Sequence, residues 1–480
     1  MSQPFAAFPV AKASLRTVNG HRPDGYPDSA TGDIDPSGEA ALVRRIRQDV
    51  AKQLTRATRA HETATGTPMP TQERDALTRR LVTEALDVYG TDEMDGGRAR
   101  LHPQVESRIS RTVTNTLLGA GGLQPWLNSP DVEGIVANGC DQVFVTFTGN
   151  QEQRVAPIAD SDEEMVELVR VLAARTGNEE RRWDRAAPML NLQLPDGSRL
   201  NAVMDVTRRP SLSIRRHRFM TMTLPELLQL GAIDAALAEF LRAAVAARLN
   251  MVAGGPTNAG KTTFLRGLAS AIPPYERLVT IEDTYELGFD ADKQRHPNVV
   301  AMQARDANVE GEGAVTMAML FRNGLRMSPS RVFVGEVRGD EVIPLLNAMS
   351  QGNDGSMSTI HASSSVGVFR KLALYAAQSP ERLEQATTNL HIAEGLHLVI
   401  QLRLTLDGRR FVTSVREVVD ADGLQVASNE VFRPGPDGRA VPGAPPSTGL
   451  MEKLVYHGFD PGLLQRRQGW WDTTTTWGQQ

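Results

Sequence analysis

A single cysteine, Cys140, is all that the 480-residue chain contains, so no disulfide can form within it, and the sequence fits a reducing compartment. Neither sign of charge is in large excess: 52 Lys and Arg stand against 57 Asp and Glu, a formal net charge of −5. That balance supplies no broad basic field of the kind that marks a general nucleic-acid binder, although local clusters are compatible with it. Long apolar runs are missing too. The best candidate, Ala232 to Met251, is interrupted by Asp234, Glu239, Arg242 and Arg248. It reads as a soluble helix, not as a bilayer span of roughly 18 apolar residues. Met1 to Pro9 lacks a basic start followed by an apolar run, so no secretory signal is expected. No internal repeat is found. What remains is ordinary globular texture, 40% hydrophobic and 23% charged. The length suits roughly two to four domains.

Residues 1–38 are rich in Pro, Gly, Ser and Asp without an apolar period, which predicts a disordered arm. Leu42, Ile46, Val50 and Leu54 then recur every four residues, and Leu77, Leu81 and Leu86 follow at helical spacings, so 39–118 is expected to be a helical region broken between Thr65 and Pro70. Short strand-like runs at Val143–Val145, Leu192–Leu194 and Leu200–Met204 mark 119–216 as a small α+β domain. A helix over Ser161 to Ala174 is expected there, with Ser161 and Glu164 as its capping box. Pro195-Asp196-Gly197 supplies a hairpin turn, because Pro presets φ and Gly tolerates positive φ. A connector at 217–225 leads to Thr223 and Glu226, a second capping box. From 226 to 432 helices and strands alternate, the pattern of a parallel α/β sheet. The stretch 433–480 reads as a Pro/Gly linker and a tail with Trp470, Trp471 and Trp477.

The sharpest local signal is Gly255-Pro256-Thr257-Asn258-Ala259-Gly260-Lys261-Thr262, a G-x-x-x-x-G-K-[ST] phosphate loop, with Thr263 opening the following helix. A buried strand over Asn250–Ala253 and a helix over Thr263–Ala271 flank it, which a chance match would lack. Such a loop turns backbone N–H groups onto phosphates, and the helix N-terminus adds its dipole. Lys261 can reach the β- and γ-phosphates, and the Thr262 hydroxyl can ligate Mg²⁺. The chemistry then needs an acid for the metal and a polar group for the attacking water. Two strands end in acids: Leu278–Ile281 runs into Glu282-Asp283, with Glu286 beyond, and Arg331–Gly335 runs into Glu336, with Arg338 behind it. A third polar cluster, Gly352 to Ala362, contains a short strand ending in His361. In a parallel sheet the C-terminal strand ends converge on the ligand crevice, so all three would face the phosphates.

In their order these motifs resemble the type II/IV secretion ATPase family, on the CpaF-like branch associated with Tad/Flp pilus assembly. Its Walker A, "Asp box", atypical Walker B and "His box" correspond to Gly255–Thr262, Ile281–Thr284, Gly335–Gly339 and Gly352–Ala362. Asn308-Val309-Glu310-Gly311, the stretch Arg322 to Met327, Leu194 to Asn201 and Ser213 to Arg216 also resemble that branch. Some positions depart from the pattern: Asn258-Ala259 replaces the commoner Gly-Ser, Asn191 stands where an acid is usual, and Phe369-Arg370-Lys371 falls where related chains often carry a Ser-Arg pair.

The resemblance implies an α/β fold: a RecA-like P-loop NTPase core, a smaller α+β (PAS-like) N-terminal domain and a helical N-terminal region. It implies an ATPase that binds ATP and Mg²⁺, the metal held by Thr262 and Glu336. Glu336 orders magnesium or the attacking water, Glu282 is the candidate general base, and His361 contacts or senses the γ-phosphate. Arg199 and Arg215 approach the phosphates when the two domains close, the alternative being ordinary salt bridges. It further implies a homo-oligomer, a hexameric ring, in the cytoplasm at the inner face of the membrane, working on a polytopic platform protein. DNA is not an expected partner. The rivals are a DNA-transfer ATPase of the same fold and a nucleotide-binding scaffold without turnover.

Overall fold

The computed structural model describes residues 36–471 apart from 68, 97–99, 150, 176–182, 217–220, 306 and 308–311. Most of the expected arm, part of the 217–225 connector, the 308–311 motif and Trp477 therefore lie outside the described residues. The chain divides into two compact units, 1–129 and 130–480.

The first unit is helical, as its periodicity predicts: α1 (Pro36–Thr65), α2 (Thr71–Asp95), α3 (Pro103–Leu118) and the short α4 (Gln124–Asn128). Leu42, Ile46, Val50 and Leu54 of α1 are buried against Leu81, Val82 and Leu86 of α2 and Val105, Ile109 and Val113 of α3. The four-residue spacing lays these side chains along one face of α1. Arg108 and Glu39 lock α3 to α1 through paired contacts of 2.7 and 2.6 Å.

The second unit begins with a six-stranded antiparallel sheet: β1 (Val132–Asn138), β2 (Val143–Phe147), β3 (Gln151–Val155), β4 (Met189–Gln193), β5 (Arg199–Val203) and β6 (Ser211–Arg215). Helix α5 (Asp162–Arg175) lies between β3 and β4 in sequence; the Ser161 hydroxyl accepts from the Glu164 N–H as expected, but the Glu164 carboxylate accepts from the Asp160 N–H, one residue before the expected box partner. Spatial order is β3-β2-β1-β6-β5-β4. The β4–β5 hairpin turns at Gly197, whose φ is +82°. Two short helices, α6 (Leu224–Gln229) and α7 (Ala235–Ala246), lead into the larger sheet, and the Thr223–Glu226 capping box is present on α6.

That sheet is built from β7 (Met251–Gly255), α8 (Lys261–Ala269), β8 (Leu278–Glu282), β9 (Val299–Gln303), α9 (Met317–Gly324), β10 (Arg331–Val337), α10 (Val342–Ser350), β11 (Met357–His361), α11 (Ser365–Gln378), α12 (Gln385–Gly395) and β12 (Leu398–Leu404). Its parallel part has the order β12-β7-β11-β10-β8-β9. β11 is thus inserted between the phosphate-loop strand β7 and the acidic strand β10, which is the RecA-like arrangement. Apolar clusters cover the sheet, one around Phe240, Phe264 and Phe333, another around Phe321, Leu346 and Leu372. No described helix is long and apolar enough to cross a membrane.

The expected end of the domain differs. The sheet continues antiparallel through β13 (Arg410–Ala421), β14 (Val426–Pro434) and β15 (Ala440–Pro442), and α13 (Thr448–Tyr456) follows. The stretch read as a linker from 433 is therefore part of the sheet. Its Pro and Gly residues make a hairpin: Gly435 N–H donates to the Arg439 carbonyl at 2.8 Å, and Gly438 has φ +85°. The tail is packed as well. Trp471 Nε1 donates to the Ala440 carbonyl at 2.8 Å, and the Trp470 backbone N–H donates to Asp234 at 2.7 Å.

Candidate functional site: a phosphate loop at the C-terminal ends of the parallel strands

The loop leaves β7, whose five residues are all buried. Gly254 is needed for contact: a Cβ there would lie 2.7 Å from Gln401 Oε1 and 2.8 Å from Val368. Gly260 has φ +83°, and Asn258 holds φ +62°, a conformation that Asn tolerates better than most residues. The residues from Gly255 through Pro256, Thr257, Asn258 and Ala259 to Gly260 form the turn, and Lys261, Thr262 and Thr263 begin α8.

Lys261 folds back over that turn. Its Nζ lies 3.2 Å from the Gly255 carbonyl, 3.1 Å from the Pro256 carbonyl and 3.1 Å from His361 Nδ1. Burial pushes its pKa down to about 8; Arg215 and Arg338 act in the same direction, and Glu336 and Glu286 oppose them. The ammonium facing Nδ1 makes that nitrogen the acceptor, so the His361 proton belongs on Nε2. Nε2 approaches Glu336 Oε1 to 2.8 Å. The two are close in distance but not aligned as a hydrogen bond, and Oε1 is buried without a donor. Glu336 Oε2 accepts from Arg338 at 2.7 Å. Burial, followed by the charge of Lys261, lowers the His361 pKa.

The register explains why these groups meet. His361 pairs with Gly255, Ile360 with Gly254 and with Val337, and Ile281 with Val334. Gly255, His361, Glu336 and Glu282 therefore stand side by side at the C-terminal ends of four adjacent strands.

Glu282 is 2% exposed, and burial pushes its pKa up to about 7. Its Oε2 accepts from the backbone N–H groups of Glu286 and Leu287 at 2.7 and 2.8 Å. Gly335 makes room for it, since a Cβ there would sit 3.1 Å from Glu282 Cγ. Glu282 thereby presents Glu286, which the sequence reading placed in the acidic cluster without giving it a task. Glu286 Oε2 accepts from the Thr262 hydroxyl at 3.1 Å, and its Oε1 pairs with Arg199 of β5. Arg199 also donates to Thr284 at 3.3 Å. Arg266 of α8 holds the same turn by donating to the Leu287 carbonyl at 3.0 Å. Arg215 is exposed; it neighbours Arg199 across the β5–β6 pair, and its charge acts on Lys261. The structure thus brings Lys261, Thr262, Glu282, Glu336, His361 and Arg199 together with Glu286 and Arg338 of the same acidic runs. Arg266 joins them without any motif to mark it, and Arg215 acts on Lys261 through its charge. Asn191, on the exposed face of β4, accepts from Asn201 at 2.8 Å.

The donors suit a magnesium-bound triphosphate. Thr262 and Glu336 offer hard oxygens, and the buried Glu336 Oε1, with His361 Nε2 2.8 Å away, accepts no aligned hydrogen bond among the described residues. Among the described residues no cluster of three or more His, Cys, Asp or Glu forms a metal cage. Mg²⁺ in phosphoryl-transfer sites uses few side chains and takes its other ligands from phosphate and water.

A sequence profile of the family described as type II/IV secretion system protein matches residues 119–434. The chain is 36% identical over 322 residues to a Mycobacterium tuberculosis (strain H37Rv) protein whose name assigns it provisionally to conjugal transfer, covering 65% of this chain and 88% of that one. It is 32% identical over 308 residues to VirB11 of Agrobacterium fabrum, covering 58% and 86%. Among solved structures, the VirB11 ATPase of the Brucella suis type IV secretion system in complex with sulphate aligns at 26% identity and a TM-score of 0.33, over 65% of this chain and 96% of that one.

Proposed function

The chain belongs to the family of type II/IV secretion system proteins, and on that premise we propose that it is an ATP-hydrolysing, hexameric motor of a type II/IV secretion or Tad-type pilus system. The observation that carries this reading is the placement of His361 and Glu336 on adjacent strand ends against Lys261, the first residue of α8 after the phosphate loop.

In this reading the loop amides and Lys261 bind the triphosphate. Thr262 and Glu336 would hold Mg²⁺, which would supply charge neutralisation for the transferred phosphoryl group. Glu336 Oε1, buried with His361 Nε2 2.8 Å away, is the acceptor that orients the attacking water. Glu282 was a candidate for that base; its anchoring to two backbone amides favours Glu336 for the task and gives Glu282 the holding of Glu286. His361, bridging Lys261 and Glu336, senses the γ-phosphate. Arg215 and Arg199 come from the small domain, and phosphate charge draws Arg215 in as the domains close. Hydrolysis weakens that attraction and the domains reopen. Such rocking does work on a polytopic platform protein at the inner face of the membrane, where the chain associates peripherally from the cytoplasm.

A second reading, favoured by the relative named for conjugal transfer, is a motor of DNA transfer. Phosphate release with and without single-stranded DNA, alongside the mass of the assembly in solution, separates them. The primary reading expects Mg²⁺-dependent release, abolished in Lys261→Ala, unstimulated by DNA, from a particle of about six chains. Wild-type turnover in Lys261→Ala would overturn it.

A further inference from the structure

We propose that Arg410 is the positioning residue that couples the phosphate loop to the small domain, a role that rests on the domain-closure reading above. Arg410 opens β13, in the antiparallel extension of the sheet. Its Nε donates to the Asn258 carbonyl at 2.8 Å, and its Nη2 and Nη1 donate to the two Glu133 oxygens at 2.9 and 3.4 Å. One guanidinium therefore grips the tip of the phosphate loop with one edge and strand β1 of the small domain with the other.

Both ends matter for the chemistry. Asn258 lies in the left-handed region at φ +62°, so its carbonyl direction is set by a backbone state that needs support. Arg410 also packs over Gly260, where a Cβ would lie 3.5 Å from its Cδ. At the other end, the Glu133 carbonyl accepts from the Arg216 N–H at 2.9 Å, and Gly134 pairs with Arg215. The contact thus runs from the phosphate loop through Arg410 and Glu133 to the strand pair that carries Arg215. A change in the loop on filling with phosphate is passed to the arginine that closes on that phosphate. Only arginine supplies the three N–H groups in a fixed fork; lysine serves one end at a time.

The test uses the full chain, a non-hydrolysable ATP analogue and steady-state ATPase. Glu133→Gln removes the charge at the far end and leaves the bond to Asn258. It is expected to bind the analogue within about twofold of wild type while kcat falls about tenfold. It should also lose the analogue-dependent amide protection of β1 in hydrogen exchange. Arg410→Lys is expected to weaken analogue binding about tenfold and to lower kcat as well. Both variants should keep the wild-type melting temperature within about 4 °C. Wild-type kcat and β1 protection in Glu133→Gln, or wild-type affinity in Arg410→Lys, would overturn the proposal. If Glu133→Gln does not fold, the Arg410→Lys affinity decides alone. A wild-type chain without turnover refutes the motor reading instead, and protection of β1 by the analogue still reports on Arg410.

Discussion

The Thr262 hydroxyl donates to Glu286 Oε2 at 3.1 Å, so the side chain suited to magnesium is already in contact with a carboxylate. That carboxylate is shared with Arg199. A magnesium ion at Thr262 would draw on the charge of this carboxylate, so the metal requirement is expected to depend on it. Glu286→Gln keeps an acceptor for Thr262 and removes the charge facing Arg199. The magnesium concentration for half-maximal ATPase is expected to rise about tenfold, with a smaller change in kcat. An unchanged magnesium titration would show that Glu286 only braces the turn.

Glu282 yields a pH prediction. Its pKa, pushed up to about 7 by burial, lies above that of an unfolded glutamate. The neutral form is therefore favoured by folding, and its stabilising effect, full at acid pH, is lost as pH rises through 7. Glu282→Gln keeps an oxygen for the Glu286 and Leu287 amides without the ionisation. It should be more stable than wild type at pH 8.5 by about 1–3 kcal/mol, with the gain reduced to about 1 kcal/mol or less at pH 5. Denaturant midpoints at the two pH values measure this. A gain that is equal at both would contradict the assignment.

At the opposite ends of the strands, Gly355 faces the fully buried Arg331, which holds Glu276 with bonds of 2.8 and 2.9 Å. A Cβ on Gly355 would lie 2.5 Å from Arg331 Nη1, and its φ is +87°. Gly352, at φ +94°, has open space around it. Gly352→Ala should cost only the backbone penalty of about 1–2 kcal/mol, and Gly355→Ala about 2 kcal/mol more. Equal losses in thermal or denaturant unfolding would show that Arg331 yields without cost.

Much of this was legible in the sequence because its signals are local. The phosphate loop, the Thr223–Glu226 capping box and the four-residue spacing of α1 each act within one or two turns of chain. Their readings match the structure. The antiparallel extension was not read, although Pro436-Asp437-Gly438 carries the same turn chemistry as Pro195-Asp196-Gly197, which was. The difference is in the flanks: Val426–Pro434 alternates weakly, and β15 is three residues long. Arg410 and Glu286 are a different case. Their partners Asn258, Glu133, Thr262 and Arg199 lie 24 to 277 residues away in sequence, and only the tertiary fold brings them together.

The account stands or falls on Glu336, whose buried Oε1 is assigned to the attacking water. Single-turnover hydrolysis by Glu336→Gln, with analogue affinity measured in parallel, tests it directly. The expected result is near-wild-type nucleotide affinity with hydrolysis slowed by about 10²-fold or more. Hydrolysis at the wild-type rate would contradict it.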